Sequence, residues 1–138
     1  MTKDDLFSFI QGHKLAVLST VNSEGTPESA LVGIAVTPGL AIIFDTVRTS
    51  RKHANLVANP AAAFVVGCTS ERTLQYEGVA LEPKGEELER YKAAYFATFL
   101  DGKSRETWPG ICYWVVKPSW IRYSDYGETP SVLEEFRF

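Results

Sequence analysis

Short β-rich runs that alternate with turn residues constrain the fold of this chain more than any other feature. Seven runs are rich in the β-branched and aromatic residues that strands favour: 15–21, 28–36, 40–46, 61–68, 73–82, 111–117 and 120–126. Turn residues separate them, as in "NSEGTP" (22–27), Pro38-Gly39 and Pro118-Ser119. Strands joined by short turns favour an antiparallel sheet over alternating βαβ units. The pattern therefore predicts a mainly β fold of the α+β class, a closed or partly closed antiparallel barrel.

Three helices are expected at the periphery of this barrel. Thr2 can cap a first helix that Gly12 ends, and a second, short helix occupies the segment before Asn59-Pro60. The longest helix covers 85–100, where apolar residues recur every three or four positions opposite charged ones. Gly78 lies inside the fifth run and predicts a bulge or a close backbone approach.

Size and charge limit the class of protein. A chain of 138 residues forms one domain, 1–138. Its net charge of −3 argues against general binding of nucleic acid. Cys68 and Cys112 lack metal-site or thioredoxin-like spacing, which favours free, buried thiols in a reducing cytoplasm. The N-terminus is too polar for a signal peptide, and no apolar run approaches the roughly 18 residues of a membrane span. We therefore expect a cytoplasmic protein without a membrane segment.

A local surplus of positive charge stands out in this acidic chain. The 25 residues between Asp45 and Glu71 contain no carboxylate, but they hold Arg48, Arg51, Lys52 and His53. If Ser50 or Thr49 caps the second helix, the free N–H groups of its first turn point the same way as these cations. Cations are unfavourable at a helix start unless an anion binds there. Because GxxxxGK[ST] and GxGxxG motifs are absent, a single terminal phosphate is the ligand that the pattern favours.

The residues alone leave alternatives open. The same cations are also compatible with a solvated helix start that pairs across space with Glu71 or with the C-terminal "LEEF". His53 is either a phosphate donor or proton shuttle, or a partly exposed helix histidine. Asp45, at the end of a predicted strand, is compatible with an acceptor in a strand-end turn.

A resemblance to a known family goes further. "EGTPESALVGIAV", "LAIIFDT", "SRKHANLVANPAAAFVV", "RTLQYEGVALE" and "WIRYSDYG", in this order, resemble the pyridoxamine 5'-phosphate oxidase-like family of FMN-binding split β-barrels over about residues 4–126. The resemblance implies a Greek-key-like split barrel with FMN as cofactor. It implies that Arg51 and Lys52 grip the FMN phosphate, with Ser50 adjacent and Thr46 at the end of the preceding strand.

The resemblance also implies a shared site. It implies a homodimer in which each flavin contacts both subunits, and Thr73 and Gln75 reach toward the partner's cofactor. The strand that follows the Gly-x-Pro turn would lie along the flavin ring largely through backbone atoms, and Asp45 would bond the ribityl chain or the ring. The expected ring-side residues are Ala30, Leu31, Val32 and Gly33.

Departures from the family pattern concern the substrate. Ala30 and Ala35 occupy two positions that are cationic in true pyridoxamine phosphate oxidases, and Ser124 falls where a flavin-contacting tryptophan is expected, with Trp120 and Tyr126 nearby. The substrate-binding Arg-Leu-His ending is missing. These differences argue against vitamin B6 oxidation. The expected function is that of an FMN-dependent oxidoreductase of an unknown small molecule, with no catalytic residue assigned and no metal. The alternatives are a non-catalytic flavin binder or sensor and a relative that binds haem or a deazaflavin.

Overall fold

A single curled sheet of eight antiparallel strands forms the body of the protein. The computed structural model describes residues 1–138. Its strands run in the order β2-β1-β5-β6-β7-β4-β3, and β8 pairs with β7. The strands are β1 (Leu15–Val21), β2 (Pro27–Gly33), β3 (Ala35–Val36), β4 (Ile42–Val47), β5 (Ala61–Val66), β6 (Arg72–Leu81), β7 (Ile111–Asp125) and β8 (Val132–Arg137). This half-barrel confirms the predicted α+β split-barrel class.

Three α-helices surround the sheet: α1 (Lys3–Gln11), α2 (Arg51–Ala58) and α3 (Gly85–Thr98). Thr2 and Asp5 form a capping box that starts α1, because Thr2 Oγ1 accepts from Asp5 N and Asp5 Oδ2 accepts from Thr2 N. A 3-10 helix (Leu100–Thr107) follows α3. No helix has the length and apolar character needed to span a bilayer.

The inner face of the curl holds the main core. Alternation along β1 turns Ala16, Leu18 and Thr20 inward, and α1 closes one end with Leu6 and Ile10. Twenty-two buried residues form this cluster. Because burial of one large apolar side chain contributes about 1.5–3 kcal/mol, this cluster is the main source of stability.

The outer face of the sheet is covered on one half only. Helix α3 packs over β3, β4 and β7 through Tyr95, and Phe99 fills the space where a side chain on Gly33 would lie. The other half, over β2, β1, β5 and β6, carries no helix. Its exposed apolar side chains, which we call the outer-sheet face, are Leu15, Leu31, Val65 and Val79, exposed by 53%, 64%, 42% and 54%.

Pairing between distant segments changed several predicted boundaries. The runs 111–117 and 120–126 form one strand, because Pro118, which has no N–H, lies at the bulge opposite Gly78. The predicted role of Gly78 is confirmed, since a Cβ there would collide with the Lys117 carbonyl oxygen. The run 28–36 breaks at Ile34, whose N–H donates to Lys14 O. The strand β4 lies between β3 and β7 and not beside β2, so the first three runs form no simple meander.

The sequence patterns did not predict strand β8 or the 3-10 helix. Strand β8 is itself acidic, and its alternating pattern is too short to indicate a strand. It is held by pairing with β7 and by the Arg122–Glu135 ion pair. The 3-10 helix has no apolar periodicity in its sequence and depends on contacts with α3 and β4. Of the two cysteines, both free, Cys112 is buried as expected and Cys68 is exposed, which corrects the expectation for Cys68.

Candidate functional site

The start of α2 is fixed by hydroxyl groups. Ser50 is the N-cap, with extended φ and ψ of −74° and 153°, and its Oγ accepts from His53 N at 3.2 Å. Thr46 Oγ1, at the end of β4, donates to the same Oγ at 2.9 Å. Ser50 therefore caps the helix, and not Thr49. Both bonds use Ser50 Oγ as the acceptor, so its own hydroxyl proton remains available to a ligand.

A cavity of about 270 Å³ lies between this helix start and the inner side of β1 and β2. We call it the α2 cavity; its lining residues are Leu18, Thr20, Glu28, Ser29, Ala30, Arg51 and Lys52. Its three charged side chains carry two positive charges and one negative charge.

The basic segment divides among different partners. Arg48 turns away from the α2 cavity and forms a bidentate ion pair with Glu82, with Nη2–Oε2 at 2.6 Å. Arg51 pairs with Glu28, Nε–Oε1 at 3.2 Å, and Lys52 makes no ion pair. Pairing with Glu71 or with the C-terminal acidic segment is not found, but the intramolecular pairing of that alternative is, because Arg48 pairs with Glu82, which follows β6, and Arg51 pairs with Glu28 of β2.

Glu28 is a site residue that sequence reasoning missed. Its Oε1 also accepts from Asn55 Nδ2 at 2.8 Å, and its Oε2 accepts from Asn22 Nδ2 at 3.3 Å. The hydrogen bond from Asn55, with smaller contributions from Asn22 and Arg51, lowers the pKa of this carboxyl. The signal that could have found it is strand phase, since Glu28 shares the inward phase of Ala30.

His53 lies under the helix and not at its surface. Its side chain is buried, and its Nδ1 accepts from Trp114 Nε1 at 3.0 Å. Because an indole N–H can only donate, Nδ1 is unprotonated and the proton of the neutral ring is on Nε2. Cys112 Sγ lies 3.5 Å from the same nitrogen. The expectation that His53 is a partly exposed helix histidine is therefore wrong. His53 also does not line the α2 cavity.

The predicted ring-side residues point in different directions. Ala30 lines the α2 cavity, Val32 is buried in the core and Gly33 lies against Phe99. Leu31 faces outward on the other side of β2. Their contact with a flavin stays a prediction, and within one chain only Ala30 adjoins the cations.

Thr73 and Gln75 lie away from the α2 cavity. Direct cross-strand partners connect Leu31 to Val17, Val17 to Val65 and Val65 to Gln75, so Gln75 belongs to the same outward-facing row as Leu31. Thr73 is half-buried in the same strand phase, and its Oγ1 donates to Val66 O at 3.4 Å. One chain therefore does not bring these two residues to Arg51 and Lys52.

Asp45 faces α3 and the 3-10 helix. Its Oδ1 accepts from Tyr95 Oη at 2.9 Å, and its Oδ2 pairs with Arg105 Nε at 3.1 Å. Burial and the nearby Asp45 charge raise the pKa of Tyr95. The turn-acceptor alternative is wrong, because the carboxylate bonds side chains from distant elements.

The aromatic residues near the C-terminus do not converge on the α2 cavity either. Ser124 is buried and its Oγ has no hydrogen-bond partner. Trp120 Nε1 donates to Glu135 at 3.3 Å, and Tyr126 is exposed. No three His, Cys, Asp or Glu side chains are grouped to hold a metal ion.

The curled antiparallel sheet, the half-covered outer face and the α2 cavity define a split β-barrel protein. The chain belongs to the pyridoxamine 5'-phosphate oxidase family, whose sequence profile, described by that enzyme's name, matches residues 2–125. No curated protein matches the chain in sequence.

Solved structures share this fold. A haem-binding protein from Mycobacterium smegmatis superposes with a TM-score of 0.84 at 20% identity, over 99% of this chain and 58% of that protein. This chain thus spans little more than half of that protein. General Stress Protein 26 from Bacillus anthracis str. Sterne has a TM-score of 0.74 at 23% identity, over 99% and 98% of the two chains. A pyridoxamine 5'-phosphate oxidase-related, FMN-binding protein from Nostoc punctiforme PCC 73102 has a TM-score of 0.66 at 11% identity, over 91% and 86%.

Proposed function

We propose that this protein is an FMN-binding flavoprotein that holds the cofactor phosphate at the α2 cavity. The observation that carries the proposal is that Arg51, Lys52 and the Ser50 hydroxyl meet at one helix start. The first-turn N–H groups add donors, and the helix dipole favours an anion there. The α2 cavity, at about 270 Å³, is large enough for the phosphate end of the cofactor, and Ala30 lines it beside the two cations.

The proposed phosphate contacts are sufficient for useful affinity. Each charge-assisted hydrogen bond to a phosphate contributes about 1.5–3 kcal/mol, so three or four contacts approach the roughly 8 kcal/mol of micromolar binding. Lys52, which has no acidic partner, is ready to make one of them. When bound, FMN supplies hydride or electron transfer, while the chain binds and orients it. The proposed activity is therefore that of a cytoplasmic oxidoreductase acting on a small molecule.

We also propose that a second copy of the chain covers the outer-sheet face. Leu15, Leu31, Val65 and Val79 present an apolar surface that α3 leaves open. Gln75 and Leu31 lie at the two ends of one outward row, so a two-fold partner whose row runs in the opposite direction would bring its own Gln75 near Leu31 of the first chain. A homodimer with shared flavin sites is thereby supported.

The homodimer is tested by Leu31→Glu. A charge within an apolar interface is expected to convert a species of twice the 15.3 kDa chain mass into monomer, measured by light scattering. Leu100→Glu is the control, because Leu100 is also exposed, by 85% against 64% for Leu31, but lies on the 3-10 helix outside the outer-sheet face. A wild-type monomer at micromolar concentration contradicts the proposal.

Flavin binding is tested by titration of FMN and riboflavin against fluorescence quenching. Arg51→Ala combined with Lys52→Ala is expected to weaken FMN binding at least a hundredfold and to leave riboflavin binding unchanged. Arg48→Ala is the matched control, because Arg48 belongs to the same basic segment but pairs with Glu82 outside the α2 cavity. Unchanged FMN affinity in the double variant overturns the phosphate assignment.

A second candidate is haem binding, which the Mycobacterium smegmatis neighbour's description names. Neither histidine of this chain lines the α2 cavity, and Nδ1 of each is already hydrogen-bonded. The absorbance spectrum of the purified protein separates flavin, deazaflavin and haem. Repeated cycles of reduction by NAD(P)H and reoxidation distinguish an enzyme from a non-catalytic flavin binder.

A further inference from the structure

Glu28 places a carboxylate inside the cavity that is proposed to receive a phosphate. It is the acidic member of the cavity lining, and its partner in the ion pair is Arg51, one of the two proposed phosphate ligands. A carboxylate and a phosphate bind a guanidinium in the same way, since both can accept two parallel N–H bonds from it. The Glu28 carboxylate and a bound phosphate therefore compete for the N–H groups of Arg51.

The two partners of this ion pair are held very differently. Glu28 is fixed by Asn55 from α2 and by Asn22 from the β1–β2 turn, and Asn55 is itself buried and bonded to Thr20 Oγ1 at 3.0 Å. The Arg51 side chain is 74% exposed and has no other ion-pair partner. Rotation of Arg51 away from Glu28 thus breaks one contact, whereas movement of Glu28 breaks three.

We infer that Glu28 is an internal anion that competes with the phosphate group for Arg51 and thereby lowers the affinity of the α2 cavity for every phosphate ligand, so that only a ligand with further contacts binds usefully. This inference rests on the proposed function of the α2 cavity. Without a ligand, Arg51 remains on Glu28 and Lys52 alone is free. A phosphate that enters must draw Arg51 away and tolerate the nearby carboxylate. The low pKa of Glu28, set first by the Asn55 hydrogen bond, keeps this carboxylate charged near neutral pH.

This competition sets a threshold of binding energy that a small free phosphate does not reach. Inorganic phosphate has only the anion contacts, so the cost of displacing Arg51 from Glu28 removes much of its affinity. A ligand such as FMN adds contacts through its ribityl chain and ring, and it can offset the same cost. Glu28 therefore weakens the binding of both ligands by a similar factor and leaves the ratio of their affinities unchanged, but it brings the already weak binding of free phosphate below its useful range.

The test is Glu28→Gln, which removes the charge and keeps an acceptor for Asn55. Binding of FMN, riboflavin and inorganic phosphate is measured by calorimetry for the wild type, Glu28→Gln and the control Glu24→Gln, whose charge lies outside the cavity in the same hairpin. Glu28→Gln is expected to bind FMN and inorganic phosphate about tenfold more tightly, because repulsion and competition are both removed. Riboflavin, which has no phosphate, should be unaffected, whereas a purely structural role of Glu28 would change all three ligands.

A second comparison isolates the role of Arg51. In the Arg51→Ala background the gain from Glu28→Gln should shrink to about threefold, since only direct repulsion remains. The melting temperature of each variant controls for misfolding, and if Glu28→Gln is unstable, Arg51→Lys takes its place. The lysine keeps the positive charge but cannot give a phosphate two parallel N–H bonds, so this variant should bind FMN and inorganic phosphate more weakly than the wild type by a similar factor and leave riboflavin binding unchanged.

The outcomes separate the two proposals. If the wild type binds FMN but Glu28→Gln gains nothing beyond Glu24→Gln, the competition is refuted and flavin binding stands. If the wild type binds neither anion but Glu28→Gln binds inorganic phosphate, Glu28 masks the cavity as inferred and the proposed flavin function fails. If neither protein binds any phosphate, both proposals are overturned.

Discussion

Replacement of Asp45 by asparagine tests whether this carboxylate holds the α3 side of the fold onto the sheet. In the structure it accepts from Tyr95 Oη at 2.9 Å and pairs with Arg105 Nε at 3.1 Å. Burial alone would lower the pKa of Arg105, but the bonds and charge of Asp45 outweigh it and raise that pKa. Asparagine keeps one oxygen acceptor and removes the charge.

The expected magnitude follows from the burial of the pair. The Asp45 and Arg105 side chains are 13% and 21% exposed, so water screens their contact poorly. Removing one partner of a fully buried pair costs about 3–5 kcal/mol, and a hydrogen bond to a charged group about 1.5–3 kcal/mol. Because asparagine still serves Tyr95, we expect a loss of about 2 kcal/mol in the free energy of unfolding. For a domain of this size that lowers Tm by about 8 °C.

The assay is urea denaturation of Asp45→Asn, followed by circular dichroism and compared with Asp101→Asn. Asp101 pairs with the same Arg105 at the same 3.1 Å, but its side chain is 76% exposed. Its loss should therefore cost less than about 0.5 kcal/mol. Equal effects of the two variants would refute the claim that burial gives the Asp45 pair its strength.

The same variant bears on the expected flavin contact of Asp45. If Asp45 only ties the sheet to α3, FMN affinity measured at a temperature where the variant is folded should change less than about twofold. A tenfold loss of FMN affinity by the folded variant would place the carboxylate in contact with the cofactor.

Two further predictions concern the bulge and the acid stability of the fold. Gly78→Ala should lower the free energy of unfolding by about 3 kcal/mol, because the new methyl group meets the Lys117 carbonyl oxygen. Gly12→Ala is the control, because its nearest neighbours lie at 3.5 Å, and it should change the free energy of unfolding by less than about 1 kcal/mol. Similar urea midpoints for both variants would contradict this prediction. The hydrogen bond from Lys92 lowers the pKa of Glu106 below its usual 4.5, so its stabilisation is present above pH 4.5 and is lost as the pH falls through the lower folded value. The stability difference between wild type and Glu106→Gln, from urea titrations at pH 7 and pH 3, should therefore be smaller at pH 3. A constant difference would show that the Lys92 pair does not control it.

Local patterns were enough to predict much of this protein. Strand β1 and helix α2 lie where their residue types and caps placed them, and Gly78 occupies the bulge that a glycine inside a strand indicates. The Ser50 cap and the adjacent Arg51 and Lys52 were readable because a helix start is defined by neighbours in sequence. The family resemblance, which rests on the same segments, is confirmed by the match over residues 2–125.

Contacts between distant segments decided the rest. Arg51 and Glu28 are 23 positions apart by their numbering, and Asp45 meets Arg105 across 60 positions, so neither pairing has a local signature. The sequence determined that a basic helix start exists in an acidic chain. The tertiary structure decided which carboxylate joins it, and it assigned Ala30 to the inner side of β2 and Leu31 to the outer side. Strand alternation gives two faces to every strand, but only the curl of the whole sheet determines which face encloses the α2 cavity.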